Sequence, residues 1–179
     1  MIDLLRARRS IRVYEPRPIE PEKIAILKEA ALRAPSSRNI DPWEFVFVDD
    51  KDLLAQLARC KSHGAGFLAD AALAVVVCGD PGASDTWIED CSIAAILIQL
   101  TAQSLGLGSC WVQVRLRAHD QTQSACQYVQ RLLGIPEQLQ VGCMIAIGYP
   151  AQRRRPLAAG ELKYYKIHIN RFGAGESRS

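Results

Sequence analysis

The 179-residue sequence lacks the patterns that mark most metal centres and hydrolase sites. None of its six cysteines forms a C-x-x-C pair, which excludes zinc-ribbon and thioredoxin motifs. Its three histidines, His63, His119 and His168, have no ligand spacing among themselves or with the cysteines, and no serine stands in G-x-S-x-G. We therefore expect no metal site. Either the protein is not an enzyme, or a cofactor carries its chemistry.

Long apolar runs and a strong net charge are also missing. The longest apolar stretch, "IAAILIQL", is far too short to cross a bilayer, and Asp3 and Arg6 interrupt the N-terminus where a signal peptide would be apolar. The formal net charge of +3 does not argue for nucleic acid. Cys78 and Cys143 lie inside apolar runs, which favours reduced thiols. We expect a cytoplasmic protein without membrane or nucleic-acid partners.

What is present is the composition of a globular protein, with 49% hydrophobic and 23% charged residues. At this length we expect one domain, residues 1–172, followed by a flexible polar tail at 173–179. Periodicity predicts helices over 2–9, 21–34, 51–60, 87–105 and 122–134. Strands are predicted at 44–50, 71–80, 109–114, 140–150 and 163–169. Because strands and helices do not alternate strictly, this order favours an α+β fold over a doubly wound parallel sheet.

Two of these helices carry specific expectations. In the first helix, Ile2, Leu4 and Leu5 should face inward. The helix over 87–105 is so apolar that it should be buried nearly all round. Its acidic start is interpreted as a response to the helix dipole, which favours negative charge there, at Asp85, Glu89 and Asp90.

The stretch "GLGSCW", residues 106–111, is not interpreted as a dinucleotide-binding loop. That motif needs a preceding strand, a following helix and a third glycine. Here a helix precedes it and Trp111 stands where the third glycine should be. Gly106 is instead expected to cap the preceding helix.

The unusual feature is clustered positive charge, in "RRSIR" at 8–12 and "RRR" at 153–155. One interpretation is a solvated basic helix end. The other is an anion site, because Arg8 and Arg12 are four residues apart and would converge on one anion if this turn were helical, with the hydroxyl of Ser10 between them. Two remote basic clusters brought together by folding would suit a phosphate, which arginine binds bidentately.

Four stretches in order resemble the FMN-dependent nitroreductase family over nearly the whole chain. They are "RRSIRVYEPRPIEPEKI", "ALRAPSSRNIDPWEFVFV", "LTAQSLGLGSCWVQV" and "IGYPAQRRRPL". The resemblance implies a mixed, mainly antiparallel four-stranded sheet flanked by helices. It also implies a homodimer with two FMN sites at the interface, in which "ELKYYKIHINRF" adds a strand to the partner's sheet.

The resemblance also implies a cofactor site, with no catalytic side chain because FMN carries the chemistry. Arg8 would face the phosphate, and Arg12 would lie by the pyrimidine edge, where a fixed cation favours negative charge on the ring. Residues 35–39 would come from the other subunit, and a backbone N–H of 110–113 would face the reactive nitrogen. The implied contacts are Arg8, Arg9, Ser10, Arg12, Pro35, Ser36, Ser37, Asn39, Cys110, Trp111, Val112, Gln113, Arg153 and Arg154.

The activity implied is an FMN-dependent oxidoreductase in which NADH or NADPH reduces nitroaromatic or quinone acceptors by a ping-pong cycle. Gln113 and Val114 depart from the family's usual glycine-containing pattern, and Asp41 replaces a frequent glutamine, so an extra carboxylate near the pocket mouth would alter substrate choice. A flavin-binding storage or sensor protein without turnover is the alternative. A small basic interaction protein is a third hypothesis, and it predicts a colourless preparation.

Overall fold

A computed structural model describes residues 1–174, which form five α-helices and one four-stranded sheet. The helices are α1 (Ile2–Ala7), α2 (Pro21–Leu32), α3 (Lys51–Leu57), α4 (Trp87–Ser104) and α5 (Ala125–Leu133). The strands are β1 (Trp43–Val48), β2 (Leu73–Gly79), β3 (Gly108–Gln113) and β4 (Gln140–Gly148).

The sheet order is β1-β2-β4-β3, and all three pairings are antiparallel. A parallel bridge between Ser10 and Ser109 adds the N-terminal segment beside β3. The predicted α+β fold, with a mainly antiparallel four-stranded sheet flanked by helices, is confirmed.

Helices cover both faces of the sheet, and the alternation of β2 shows why its sequence is apolar throughout. Val75 and Val77 point to the cluster formed with α2 and α4. Ala74 and Val76 point to the cluster formed with α3 and α5. Because β2 is central and both faces are covered, every residue from Leu73 to Gly79 is buried.

Local signals set the ends of the helices. Pro21 opens α2, where its missing N–H costs no helical hydrogen bond. A capping box between Ser124 and Gln127 starts α5 at Ala125, three residues later than predicted. Gly106 follows α4 with a φ of 76°, a left-handed conformation that glycine adopts readily, as predicted.

Burial within the single chain differs from two expectations. In α1, Ile2 and Leu5 are exposed and Leu4 is only partly buried. In α4, Ile93 and Ile96 are also exposed, so this helix is not buried all round. Apolar periodicity identifies the residues that avoid water, but it does not identify the surface that covers them.

The predicted strand over 163–169 is also absent from the described chain. A single 3₁₀ turn spans Tyr164–Lys166, and residues 153–174 are exposed. A strand needs a paired edge, and no strand within residues 1–174 pairs with this segment, so β-propensity alone does not form one there. Of the tail predicted at 173–179, residues 175–179 lie outside the described part, and the single-domain assignment stays a prediction.

The described residues also bear on the expectations about membranes, metals and thiols. Within residues 1–174, no helix combines the length and apolar character needed to span a membrane. The same residues contain no cluster of three or more histidine, cysteine, aspartate or glutamate side chains arranged to hold a metal. All six cysteines are free thiols.

Candidate functional site

The N-terminal basic segment lies in a corner between the start of β3 and the end of β4. The backbone N–H of Ile11 donates to the Ser109 carbonyl at 3.0 Å. On the other side, the N–H of Ala151 donates to the Val13 carbonyl at 3.0 Å. These bonds bring the late segment that carries the second basic cluster alongside the first. The Arg9 guanidinium then donates directly to the backbone carbonyl of Arg155.

Two glycines allow this close approach. A Cβ added to Gly108 would lie 2.8 Å from the Cβ of Ile11. A Cβ added to Gly148 would lie 2.8 Å from the Cδ1 of Tyr14. Both distances are shorter than carbon–carbon contact, so any larger residue would push the segment off the sheet.

The arginines converge in a different way from the one predicted. Helix α1 ends at Ala7, and Arg8 is extended with φ −62° and ψ 126°, so no helical turn joins Arg8 to Arg12. In extended backbone, side chains two residues apart share a side. This alternation places Arg8, Ser10 and Arg12 on the same side of the segment without a helical turn.

The environment of Cys110 at the start of β3 supports this placement. Burial raises the pKa of the Cys110 thiol, and the Arg12 charge, a hydrogen bond with Ser10 and the Arg8 charge oppose that rise. Tyr14, two residues after Arg12, also lies close to the Cys110 thiol. Burial and the neighbouring Cys110 raise its pKa, while Arg12 lowers it. The thiol therefore lies beneath the side of the segment that carries the two arginines.

The segment that carries the second basic cluster, residues 152–161, contributes more hydrogen-bond donors than acceptors to this corner. Arg153 and Arg154 are exposed, whereas Arg155 forms a 2.8 Å ion pair with Glu161. The pKa of Glu161 is lowered by the Ala158 N–H, by Arg155 and by the charge of Arg9. The Nε2 of Gln152 is buried and has no hydrogen-bond partner among the described residues. A buried amide without a partner is costly, so this corner is suited to an added acceptor.

Strand β3 is an edge strand whose outer backbone groups face this corner. The Ser109 carbonyl accepts from Ile11, and the Gln113 carbonyl accepts from Lys61 Nζ at 2.8 Å. Backbone groups of alternate residues point the same way, so the N–H of Trp111 also faces the outer edge. The backbone groups of Trp111 and Gln113 thus lie on the outer edge next to the arginines, whereas those of Cys110 and Val112 face β4.

Lys61 is a residue that sequence reasoning missed. Its pKa is lowered chiefly by burial, and the nearby Arg117 charge acts in the same direction. Its hydrogen bond to Gln113 joins residues 52 positions apart in the sequence. No motif surrounds Lys61, so the contact arises only when the loop after α3 folds against β3.

The loop over 35–41 is ordered but strained. Arg38, Asn39 and Asp41 have φ values of 53°, 55° and 53°, which L-residues rarely adopt. Ser36 Oγ donates to Asp41 Oδ1 at 2.6 Å and accepts from the Asp41 N–H at 2.9 Å. The hydroxyl proton of Ser36 is therefore already used, and Ser36 offers a ligand only an acceptor.

The structure does not bring this loop to the arginines of the same chain. The loop precedes Trp43, which pairs with Gly79 at one end of the sheet. The arginines lie at the other end, where Leu73 pairs with Ile147. The seven residues of β2 between these ends span about 20 Å. A single chain therefore holds two separate halves of the predicted site.

A third location is a surface cavity of about 1160 Å³ beside α5. Its lining includes Ser124, Gln127 and Gln130, and no residue predicted for the site contributes to it. The cavity is distant from the basic corner in the fold, and we assign it no role in the chemistry.

Known proteins share the fold and a large part of the sequence. The nitroreductase family model matches residues 5–63 and 59–149. An FMN-dependent nitroreductase from Clostridium difficile R20291 superposes with a TM-score of 0.95 and 45% identity, covering 96% of this chain and 100% of the other. An Archaeoglobus fulgidus protein whose name includes NADH dehydrogenase/NAD(P)H nitroreductase is 38% identical over 157 residues, covering 86% of this chain and 87% of its own.

A more distant match concerns the fold alone. The NADPH:FMN oxidoreductase from Vibrio harveyi, solved with NAD+, gives a TM-score of 0.79 at 24% identity, covering 96% of this chain and 77% of the other. Together, the antiparallel α+β fold, the basic corner and the relatives define an NAD(P)H-dependent oxidoreductase. The chain belongs to the nitroreductase family.

Proposed function

We propose that the protein binds FMN at the basic corner and uses it to pass electrons from NADH or NADPH to nitroaromatic or quinone acceptors by a ping-pong cycle. The observation that carries the proposal is the meeting of the two basic clusters, where Arg9 contacts the backbone of Arg155. Support for the cofactor comes from the FMN-dependent relative that is 45% identical. When bound, FMN would supply the hydride-accepting ring, which no side chain here replaces.

The residues of the corner fit such a group. Arg8 would pair with the phosphate, joined by Arg9, Arg153 and Arg154 from the facing segments, because guanidinium groups bind phosphate oxygens bidentately. The buried Nε2 of Gln152 would gain an acceptor.

The ring would lie along the edge of β3 beside Cys110, Trp111, Val112 and Gln113. An outward backbone N–H there would hydrogen-bond to the ring without depending on side-chain identity. Arg12, on the same side of its segment as Arg8 and Ser10, would favour negative charge on the ring. Its guanidinium lies 5.8 Å from the centre of the Phe67 ring, which limits the directions it can take.

The second half of the site would come from a partner subunit. Pro35, Ser36, Ser37 and Asn39 lie at the far end of the sheet from the arginines of their own chain. A homodimer would bring the loop of one subunit to the basic corner of the other, and would cover exposed Ile93 and Ile96 of α4. The exposed segment over 161–172 would then find a strand edge on the partner.

Removal of either key arginine tests the site. Loss of one charge-assisted hydrogen bond costs about 1.5–3 kcal/mol, so we expect Arg8→Ala or Arg12→Ala to weaken FMN binding by about 10- to 150-fold. The measurement is FMN titration of the apoprotein by fluorescence quenching. Arg131→Ala, on the exposed side of α5, is the matched control. FMN affinity unchanged in both test variants would contradict the proposed site.

Turnover is tested separately by anaerobic stopped-flow. We expect bleaching of the flavin absorbance on adding NADH or NADPH, and its return on adding a quinone or nitroaromatic acceptor. A flavin that binds but is not reduced would instead indicate a storage or sensor protein. A colourless preparation that binds no FMN would favour the basic interaction protein.

A further inference from the structure

Asp90 is the one charged side chain that is buried in residues 1–174, with 3% of its surface exposed. It lies in the first turns of α4, where the helix dipole stabilises negative charge. Its charge is not satisfied by the helix alone. Its Oδ1 accepts the backbone N–H of Ser37 at 2.9 Å, and its Oδ2 accepts the hydroxyl of Thr86 at 3.2 Å.

The contact with Ser37 crosses 53 residues of sequence and joins α4 to the strained loop. The loop immediately after Ser37 contains the left-handed residues Arg38 and Asn39. Such conformations persist only where the surroundings enforce them. A second tether, the 2.8 Å ion pair between Arg38 and Asp85, is largely exposed to solvent. Solvent screens an exposed pair, so the buried bond to Asp90 is the stronger restraint.

We propose that Asp90 is a positioning residue for the FMN site, and that it holds the Ser36–Asn39 loop in the conformation presented to the flavin of the partner subunit. This inference rests on the proposed function. Asp90 acts through the main chain of Ser37 and does not itself reach the cofactor. A carboxylate suits the task because its two oxygens serve the loop and Thr86 at once, and Thr86 is held in turn by Ser84 at 3.0 Å.

Three substitutions separate geometry from charge. Asp90→Ala removes both acceptors. Asp90→Asn keeps the shape, since its amide oxygen can still accept from Ser37 and its amide nitrogen can donate to Thr86. Asp90→Glu keeps the charge but moves the carboxylate by one methylene. The matched control is Asp85→Ala, which breaks only the exposed tether to Arg38.

We measure FMN affinity of the full chain by titration, and amide hydrogen exchange across residues 36–41. Asp90→Ala should weaken FMN binding about tenfold or more, corresponding to one lost charge-assisted hydrogen bond, and should speed exchange in this loop. Asp90→Asn should restore most of the affinity, and Asp85→Ala should change it less than about threefold. If Asp90→Ala does not fold, Asp90→Asn should still bind FMN more tightly than Asp90→Glu.

The other possible results separate the positioning role of Asp90 from the proposed function. Wild-type protein that binds FMN, with Asp90→Ala binding equally well, overturns the positioning role and leaves the proposed function intact. Asp90→Glu binding like wild type while Asp90→Asn is weakened shows that charge, and not loop geometry, matters. Wild-type protein that binds no FMN overturns the proposed function and this inference together.

Discussion

The substitution Gly148→Ala tests the close approach on which the basic corner depends. The added Cβ would lie 2.8, 3.0 and 3.2 Å from Cδ1, Cγ and Cβ of Tyr14. Carbon atoms normally rest about 3.5–4.0 Å apart, so Tyr14 must move by about 1 Å. Tyr14 cannot move alone, because its hydroxyl donates to the Ile11 carbonyl at 2.7 Å and contacts the Ala146 carbonyl at 3.3 Å.

Overpacking of this kind costs about 1–3 kcal/mol. For a chain of this size the melting temperature should fall by about 2–12 °C. Displacement of Tyr14 also shifts the neighbouring arginines, so FMN affinity should fall together with stability. Both quantities are read from the same samples, by thermal unfolding and by flavin titration.

Gly142→Ala is the control in the same strand, because its Cβ would lie 3.6 Å from the nearest atom, the Val77 carbonyl oxygen. A Cβ at that distance makes an ordinary van der Waals contact, and alanine restricts the unfolded chain, so stability should be unchanged or rise by about 0.4–1 kcal/mol. If Gly148→Ala matched Gly142→Ala in melting temperature and in FMN affinity, the packing of Tyr14 on β4 could not be what positions the arginines.

Two further predictions concern other contacts. The hydrogen bond from the Tyr149 hydroxyl lowers the pKa of Glu20 from 4.5 to about 2, so its stabilising effect is present above pH 4.5 and is lost as the pH falls towards 2. The melting temperature of wild type should therefore exceed that of Glu20→Gln at pH 7, and the difference should vanish near pH 2. A difference that stays constant with pH would contradict this assignment. Lys61→Met leaves the Gln113 carbonyl without its donor. Gln130→Met does the same to the Leu139 carbonyl, beside the α5 cavity and away from the basic corner. Both should lose about 1 kcal/mol of stability by thermal unfolding, but only Lys61→Met should weaken FMN binding, and equal affinities would remove Lys61 from the site.

Part of the site could be predicted because its residues are concentrated in short stretches. The arginines of "RRSIR" and "RRR" are conspicuous in a chain of small net charge. The sequence predicted that the two clusters would meet, but the helical turn that would join Arg8 to Arg12 does not form. The positions of Arg8, Ser10 and Arg12 fit extended backbone, in which alternate residues share a side, as well as a helix, in which residues four apart share a face. Only the end of α1 at Ala7 decides between the two.

Other residues could not be found because their partners are distant in sequence. Asp90 was interpreted as a charge that favours the helix dipole, yet its main contact is Ser37. Lys61 carries no local pattern at all. The expected strand over 163–169 does not form for a related reason, since a strand exists only against an edge and residues 1–174 supply none there.

The sequence by itself determined the fold class, the buried strands and the basic stretches, because periodicity, capping and charge clustering are properties of neighbouring residues. Only the tertiary structure decided that both basic clusters share one corner and that the 35–39 loop lies at the opposite end of the sheet. The register of the antiparallel strands sets those positions, since it converts places in the sequence into distances across the sheet.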